Sequence, residues 1–349
     1  MKTKKWRQKI MRGMAVTLMS IMLMNIVGCS SKAPADTQTD DQGTKASNQK
    51  VVWKLGHTLS PEHPFAIGAD ELAKRISEKT NGNFEIQVFP AGQLGNEKDL
   101  GDAVVNGLVH LAFVGPGELG KRYSPVSVFD APFLFDGYEH GKRVINGKVG
   151  EEVWDELSKE TGIRVLGASY YGTRHVTSNF PVNTPSDLTG KKLRTPDMPL
   201  YVETFKALGA RPTPMALSEV YLGLQQGVVD GQENPVSTIY SQKFYEVQQY
   251  INLTGHIVCF TPLITSEKML SSLPEEYQTV LIDTVKEILP MIDEITLKYE
   301  EEKLLEMESS GVKIIKSDIQ SFREKAKQAI EVLEKDWTPG LYEKMQLAK

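Results

Sequence analysis

An α/β protein of two lobes is what the sequence predicts, on three observations. Strand-like and helix-like segments alternate along the body, the pattern of a sheet layered with helices. About 300 of the 349 residues remain once an N-terminal leader and tether are set aside, enough for two hydrophobic units. A nearly unbroken helical pattern from Pro274 to Ser310 would span roughly 50 Å at 1.5 Å per residue. That exceeds one small lobe, so the helix is expected to run along both.

Taken in order, residues 1–28 read as an export signal. Lys2, Lys4, Lys5, Arg7, Lys9 and Arg12 form a basic start, and Met14 to Val27 form an apolar core too short to span a membrane stably. The segment ends Ile26-Val27-Gly28-Cys29, which resembles a bacterial lipobox and implies a lipidated Cys29; a plain secretory signal with an incidental cysteine, or an uncleaved anchor, is the alternative. Residues 29–50, rich in Ser, Thr, Asp, Gln and Lys, bury too little to offset chain entropy and read as a flexible tether.

Val51 to His57 alternates as a strand, and Phe65 to Thr80 reads as a helix with Ala69, Leu72, Ala73 and Ile76 inward, stopped by Asn81-Gly82. Phe84 to Phe89 is the next strand. Asn96 to Gly107 is helical with Leu100, Val104 and Val105 inward, and Leu108 to Val114 is an apolar strand. A helix over Glu151 to Thr161 and a strand over Ile163 to Tyr170 follow. Beyond Pro235 come a helix carrying Lys243-Phe244-Tyr245-Glu246-Val247 and a return through Tyr250 to Thr265. Pro290 should kink the long helix, since its ring removes a backbone hydrogen bond. Val312 to Ile315 is a short strand, and Asp318 to Asp336 an amphipathic helix.

Removing residues 1–28 takes away six basic and no acidic residues, moving the formal charge from −5 to about −11, which gives no footprint for nucleic acid. Cys29 and Cys259 are the only cysteines, so with Cys29 acylated no intrachain disulfide forms. His57 and His63, six apart around Glu62, match no common zinc spacing, so no metal and no cofactor are expected. Gly115-Pro116-Gly117 and the Gly92–Gly95 pair fit neither a P-loop nor a dinucleotide fingerprint, and no nucleophile elbow is present.

The informative stretch runs from Val165 to Pro235. Arg174 follows an apolar run and a glycine, and Arg194 ends Lys191-Lys192-Leu193-Arg194 just before Thr195-Pro196, so both are expected at the edges of regular structure. A guanidinium grips a carboxylate through two parallel hydrogen bonds, which points to an organic-acid site. Each also has a plainer reading: Arg194 holding Asp197 or Asp187, and Arg174 in an interlobe or surface ion pair. Asn234 can donate and accept beside a bound acid, or simply turn the chain before Pro235. Asp197 suits a hydroxyl or orients Arg194. His57 suits a ligand or the following loop.

This stretch resembles the second lobe of the solute receptors of tripartite ATP-independent periplasmic (TRAP) transporters, the DctP type. The residues that carry the likeness are Gly172-Thr173-Arg174 with Thr177-Ser178-Asn179, Leu193-Arg194, Pro212-Thr213-Pro214-Met215, Ser218-Glu219-Val220-Tyr221, Val229 through Pro235, and Lys243 through Val247. Weaker similarity runs from about Val51 to the C-terminus. The resemblance implies a two-lobed, periplasmic-binding-protein-like (type II) fold with a hinge and a long helix crossing both lobes. It places lobe I at 51–171 plus 260–299, and lobe II at 172–259 plus 300–345.

By the same resemblance Arg194 pairs with the substrate carboxylate and Arg174 is a second ligand arginine. Likeness to sialic-acid-binding relatives places Thr58 and Glu97 on pocket positions, Gly115 where those relatives carry Glu, and Leu217 on an aromatic position, so the last two argue against sialic acid. The implied function is binding of a small organic acid, of sugar-acid or C4-dicarboxylate type, by hinge closure, without bond chemistry. The implied partners are the small and large membrane subunits of a permease. A receptor feeding a sensor kinase is the alternative, and an extracellular lyase or hydrolase lacks a general base beside the arginines. The expected setting is extracytoplasmic, as a monomer anchored through Cys29 to the outer face of the cell membrane of a Gram-positive bacterium.

Overall fold

The structure, a computed structural model, describes residues 50–348. The export signal, Cys29 and all but the last tether residue lie outside them. Nine strands form one mixed sheet: β1 (Val51–Gly56), β2 (Phe84–Phe89), β3 (Leu111–Phe113), β4 (Ile163–Ser178), β5 (Lys192–Thr195), β6 (Arg211–Pro214), β7 (Gly231–Pro235), β8 (Tyr250–Ser266) and β9 (Lys313–Ile315). Around it lie α1 (Pro64–Lys79), α2 (Glu97–Val105), α3 (Pro116–Leu119), α4 (Tyr138–Ile145), α5 (Lys148–Thr161), α6 (Pro199–Ala207), α7 (Val220–Gln225), α8 (Val236–Ser241), α9 (Glu267–Ser272), α10 (Glu275–Ser309), α11 (Ile319–Leu333) and α12 (Leu341–Leu347). Among the described residues no helix is long and apolar enough to cross a membrane.

The order β2-β1-β3-β8-β4-β7-β5-β6, with β9 beside β8, explains the two lobes. β1, β2 and β3 are parallel to one another and join one end of β8; β5, β6 and β7 are parallel to one another and join the opposite end of β4. Between them β4 and β8 run antiparallel from Ile163↔Ser266 to Ser178↔Tyr250 and cross from one lobe to the other. One core gathers Trp53, Leu55, Phe65, Leu72 and Phe84 of the first lobe. Two smaller cores, around Val176, Leu193 and Phe205 and around Val220, Phe244 and Ile251, fill the second.

The long helix falls within one residue of its expected ends and continues through Pro290. It packs on α1, where a Cβ on Gly68 would lie 2.3 Å from Ile292, so only glycine allows so close an approach. Farther along it meets β4 and α8, and so touches both lobes. Beside Pro290, the Ser169 hydroxyl donates to the Leu289 carbonyl at 2.7 Å.

Several expectations need correction. Strand β4 does not stop at Tyr170. It continues to Ser178, and Arg174 sits well inside it rather than at an edge. Register shifts at Val165/Gly167, Tyr170/Gly172 and Arg174/Val176 break the alternation without ending the ladder, which hides its length in the sequence. Strand β3 is shorter than expected because the turn at Gly107, φ +71°, takes up the preceding residues and leaves Leu108 exposed. Val105 faces solvent rather than the core. The Phe244–Glu246 run forms a single 3-10 turn rather than part of α8. The C-terminal segment through residue 345 also divides differently, since Trp337, Leu341, Tyr342 and Met345 pack into the first-lobe core. His140 Nε2 donates to the Met345 carbonyl there at 3.1 Å.

Candidate functional site

Between the lobes lies a cavity of about 450 Å³, a volume suited to a small organic molecule. Of the residues singled out from the sequence, Thr58, Glu97, Gly115, Arg174, Arg194, Asp197, Leu217 and Asn234 line it, drawn from loops and strand ends of both lobes. His57 does not. It is fully buried, and burial holds its pKa down to about 4, so it stays neutral at pH 7.

Arg194 comes from β5, with 3% of its surface exposed. Its Nε and Nη2 both donate to the Met215 carbonyl, at 3.0 and 2.6 Å, which orients the guanidinium on the cavity wall. Among the described residues no carboxylate lies within 4.0 Å of it, so neither Asp197 nor Asp187 holds it. Asp187 instead accepts from the backbone N–H groups of Asn183 and Thr184. Burial draws the Arg194 pKa down to about 10, which still leaves it charged at neutral pH.

Arg174 differs. Its Nε and Nη2 donate to Glu233 at 2.6 and 2.7 Å, and Nη2 also reaches Asn234 Oδ1 at 3.1 Å. Its guanidinium lies 4.9 Å from the centre of the Tyr201 ring. Burial opposes its charge, but Glu233 outweighs burial and raises its pKa well above the usual value. Both arginines give their Nε–Nη2 edge to the protein, but Arg174 is neutralised by a carboxylate while Arg194 meets only a backbone carbonyl and keeps its charge and its outer Nη groups for the cavity. Asn234 is not a turn residue: it stands in β7, accepting from Arg174 and donating to Gln232 at 2.6 Å. Asp197 does not orient Arg194 either. Its side chain is 82% exposed and meets Lys121 of the first lobe at 3.7 Å, at the rim of the cleft.

Sequence reading missed the acidic wall facing the arginines. Asp130, fully buried, accepts from Gly117 N at 2.9 Å, Tyr201 Oη at 3.1 Å and Cys259 Sγ at 3.3 Å. Glu118 is held by Lys121 at 3.0 Å and Arg122 at 3.4 Å. Glu97, at the first position of α2, is fixed by a capping box between Asn96 and Asp99. Burial and the neighbouring Glu118 and Asp130 raise its pKa to about 7. Asp130 gave only a weak signal, a single acid between Phe129 and Ala131, and Glu233 lay inside the Val229–Pro235 run without being marked as a partner for Arg174. Among the described residues no group of three or more His, Cys, Asp or Glu side chains is placed to hold a metal ion.

A cleft between two sheet-linked lobes, walled by a buried cation on one side and carboxyls on the other, defines a solute-binding receptor. The chain belongs to the DctP family, bacterial extracellular solute-binding protein family 7, whose model matches residues 55–336. It is 33% identical over 291 residues to a solute-binding protein of Roseobacter denitrificans, covering 81% of this chain and 86% of that one. Its fold is similar to a TRAP periplasmic solute binding protein of Actinobacillus succinogenes with bound L-galactonate (TM-score 0.82, 28% identity, 85% of this chain and 99% of that one). It is also similar to one from Sulfurospirillum deleyianum with bound succinate (TM-score 0.81, 32% identity, 86% and 99%).

Proposed function

We propose that this chain is the receptor of a TRAP transporter, capturing a small organic acid and presenting it to the small and large membrane subunits. One observation carries the reading: Arg194 is buried, charged and without a carboxylate partner among the described residues, while lining the cleft between the lobes. A buried cation is stable only when paired, and a ligand carboxylate supplies the partner in bidentate form. Arg174, neutralised by Glu233, holds Asn234 in place on the cavity wall.

Capture works by hinge closure. The lobes divide where Gly172 pairs with Cys259, beside a register shift in the two connecting strands. The closed form is favoured only by the additional contacts the ligand makes in it. Residues 1–28 direct export, and lipidated Cys29 with its tether keeps the receptor at the outer face of a Gram-positive cell membrane.

A thermal-shift screen of the purified protein against an acid library tests this, since a ligand at about 100 times its Kd stabilises by about 2.7 kcal/mol. Arg194→Lys keeps the charge but loses the fork, and affinity by titration calorimetry falls at least tenfold. Unchanged affinity in that variant would remove Arg194 from the role.

A further inference from the structure

We propose that the wall opposite Arg194 selects a monocarboxylate bearing several hydroxyl groups over a dicarboxylate, with Glu97 as the residue that decides between them. This deepens the reading above and rests on Arg194 taking the ligand's carboxylate.

Arg194 accounts for one end of a bound acid. The groups lining the rest of the cavity decide what the other end can carry. Every other buried or half-buried cation there is already engaged: Arg174 with Glu233, and Lys121 with Glu118 and Asp197. A second carboxylate on the ligand would therefore find no open cation. It would instead face Glu97 from α2, Glu118 from α3 and Asp130 from the 3-10 turn Ser124–Asp130. Like charges brought together out of water are repelled strongly.

Three carboxyls line this wall, but they are not equivalent. Asp130 already receives three hydrogen bonds, and Glu118 is closed by two cations. Glu97 has no cation within 4.0 Å among the described residues, and it lines the cavity beside the Gly115 backbone. A Cβ on Gly115 would stand only 3.9 Å from both Glu97 carboxylate oxygens, so the missing side chain leaves their approach open on the cavity side. Lone pairs remain on Glu97 for donors from the ligand. Hydroxyl groups supply them, as charge-assisted hydrogen bonds when the carboxyl is ionised. When the cleft closes over a ligand without hydroxyls, the lone pairs of the half-buried Glu97 are left unmet, and such sites discriminate strongly against the bare analogue. The cavity, at about 450 Å³, also offers more room than a four-carbon diacid fills.

The test is titration calorimetry of the purified protein with a panel of six-carbon polyhydroxy monocarboxylates, with succinate, and with hexanoate. The best hydroxy acid is expected to bind at least a hundredfold tighter than either. Glu97→Gln should weaken that acid at least tenfold and leave succinate unchanged or tighter. Glu97→Lys, which places a cation on the same wall, should move the preference toward succinate. The proposal is overturned if the wild-type protein binds succinate as tightly as the best hydroxy acid, or if Glu97→Gln weakens both acids equally. Arg194→Lys separates the two readings. A protein that prefers succinate and loses it with Arg194→Lys keeps anion capture and sinks only the selectivity, whereas binding of no acid at all sinks both.

Discussion

Arg174 of β4 and Glu233 of β7 form a buried bidentate pair, 2.6 and 2.7 Å long, that ties two neighbouring strands of the second lobe together. His256 Nε2 lies 3.1 Å from the same carboxylate. Removing one partner leaves an uncompensated buried charge, which costs about 3–5 kcal/mol. Glu233→Ala is expected to lower the unfolding free energy by that amount in urea. The double variant Arg174→Met/Glu233→Leu should recover most of the loss. Equal losses in the single and double variants would show that the pair's charges are not what the site depends on.

Gly172 is a second sensitive point. At φ +130°, a Cβ there would lie 2.4 Å from Glu300 Oε1 and 2.5 Å from Pro235 Cβ. Gly162 has φ +72° and open space around it. Gly162→Ala should therefore cost only the backbone strain, about 1–2 kcal/mol. Gly172→Ala adds a clash to that strain and should lower Tm clearly further, as calorimetric unfolding of the two variants would reveal.

Acid and base act on this fold in opposite senses. Burial raises the Glu300 pKa from 4.5 to about 8, despite the hydrogen bond donated by the Tyr170 hydroxyl at 3.0 Å. The unfolded chain ionises this group above about pH 4.5 while the folded one does not until about pH 8. Stability from Glu300 is therefore lost as pH rises through that window. Glu300→Gln should remove that slope, so the difference in Tm between wild type and variant must shift in the variant's favour between pH 5 and 8 (roughly the two ends of the window). Burial holds His57 near 4 and His63 near 3. These groups act the other way, and destabilise the fold as pH drops below 6.5, because the unfolded chain takes up protons first.

Asp197 sits at the rim, 82% exposed, facing Lys121 at 3.7 Å. Exposed pairs are worth about 0–1 kcal/mol and weaken in salt. Asp197→Asn is expected to change ligand affinity by less than about fivefold, and raised salt should erase even that. A larger effect, independent of salt, would place Asp197 in direct contact with the ligand.

The sequence made local periodicity readable and long-range pairing hard to see. Strand β2 falls at its expected bounds, and α10 lies within a residue of its expected ends, because both patterns are regular and end in clear stop signals. Strand β4 looked half its length, since glycines at 167 and 172, both at positive φ, interrupt the alternation while the ladder goes on. Helix α6 follows a proline at its first position and went unread, as did α4 and α12, which are short. At the site, eight of nine expected ligand residues reach the cavity wall. An ion pair was one reading of Arg174, but the buried partner itself was invisible, because it lies 59 residues downstream and nothing local to either residue announces the other.

Among the described residues, two continuous strands, one continuous helix and the short 334–340 connection before α12 pass between the halves of this molecule. Such a joint behaves as a flexure, like a leaf spring, rather than as a swivel. The direction in which it can bend is set by the ribbons themselves. On the function proposed above, a partner that reads the receptor's outline meets two reproducible silhouettes instead of a continuum.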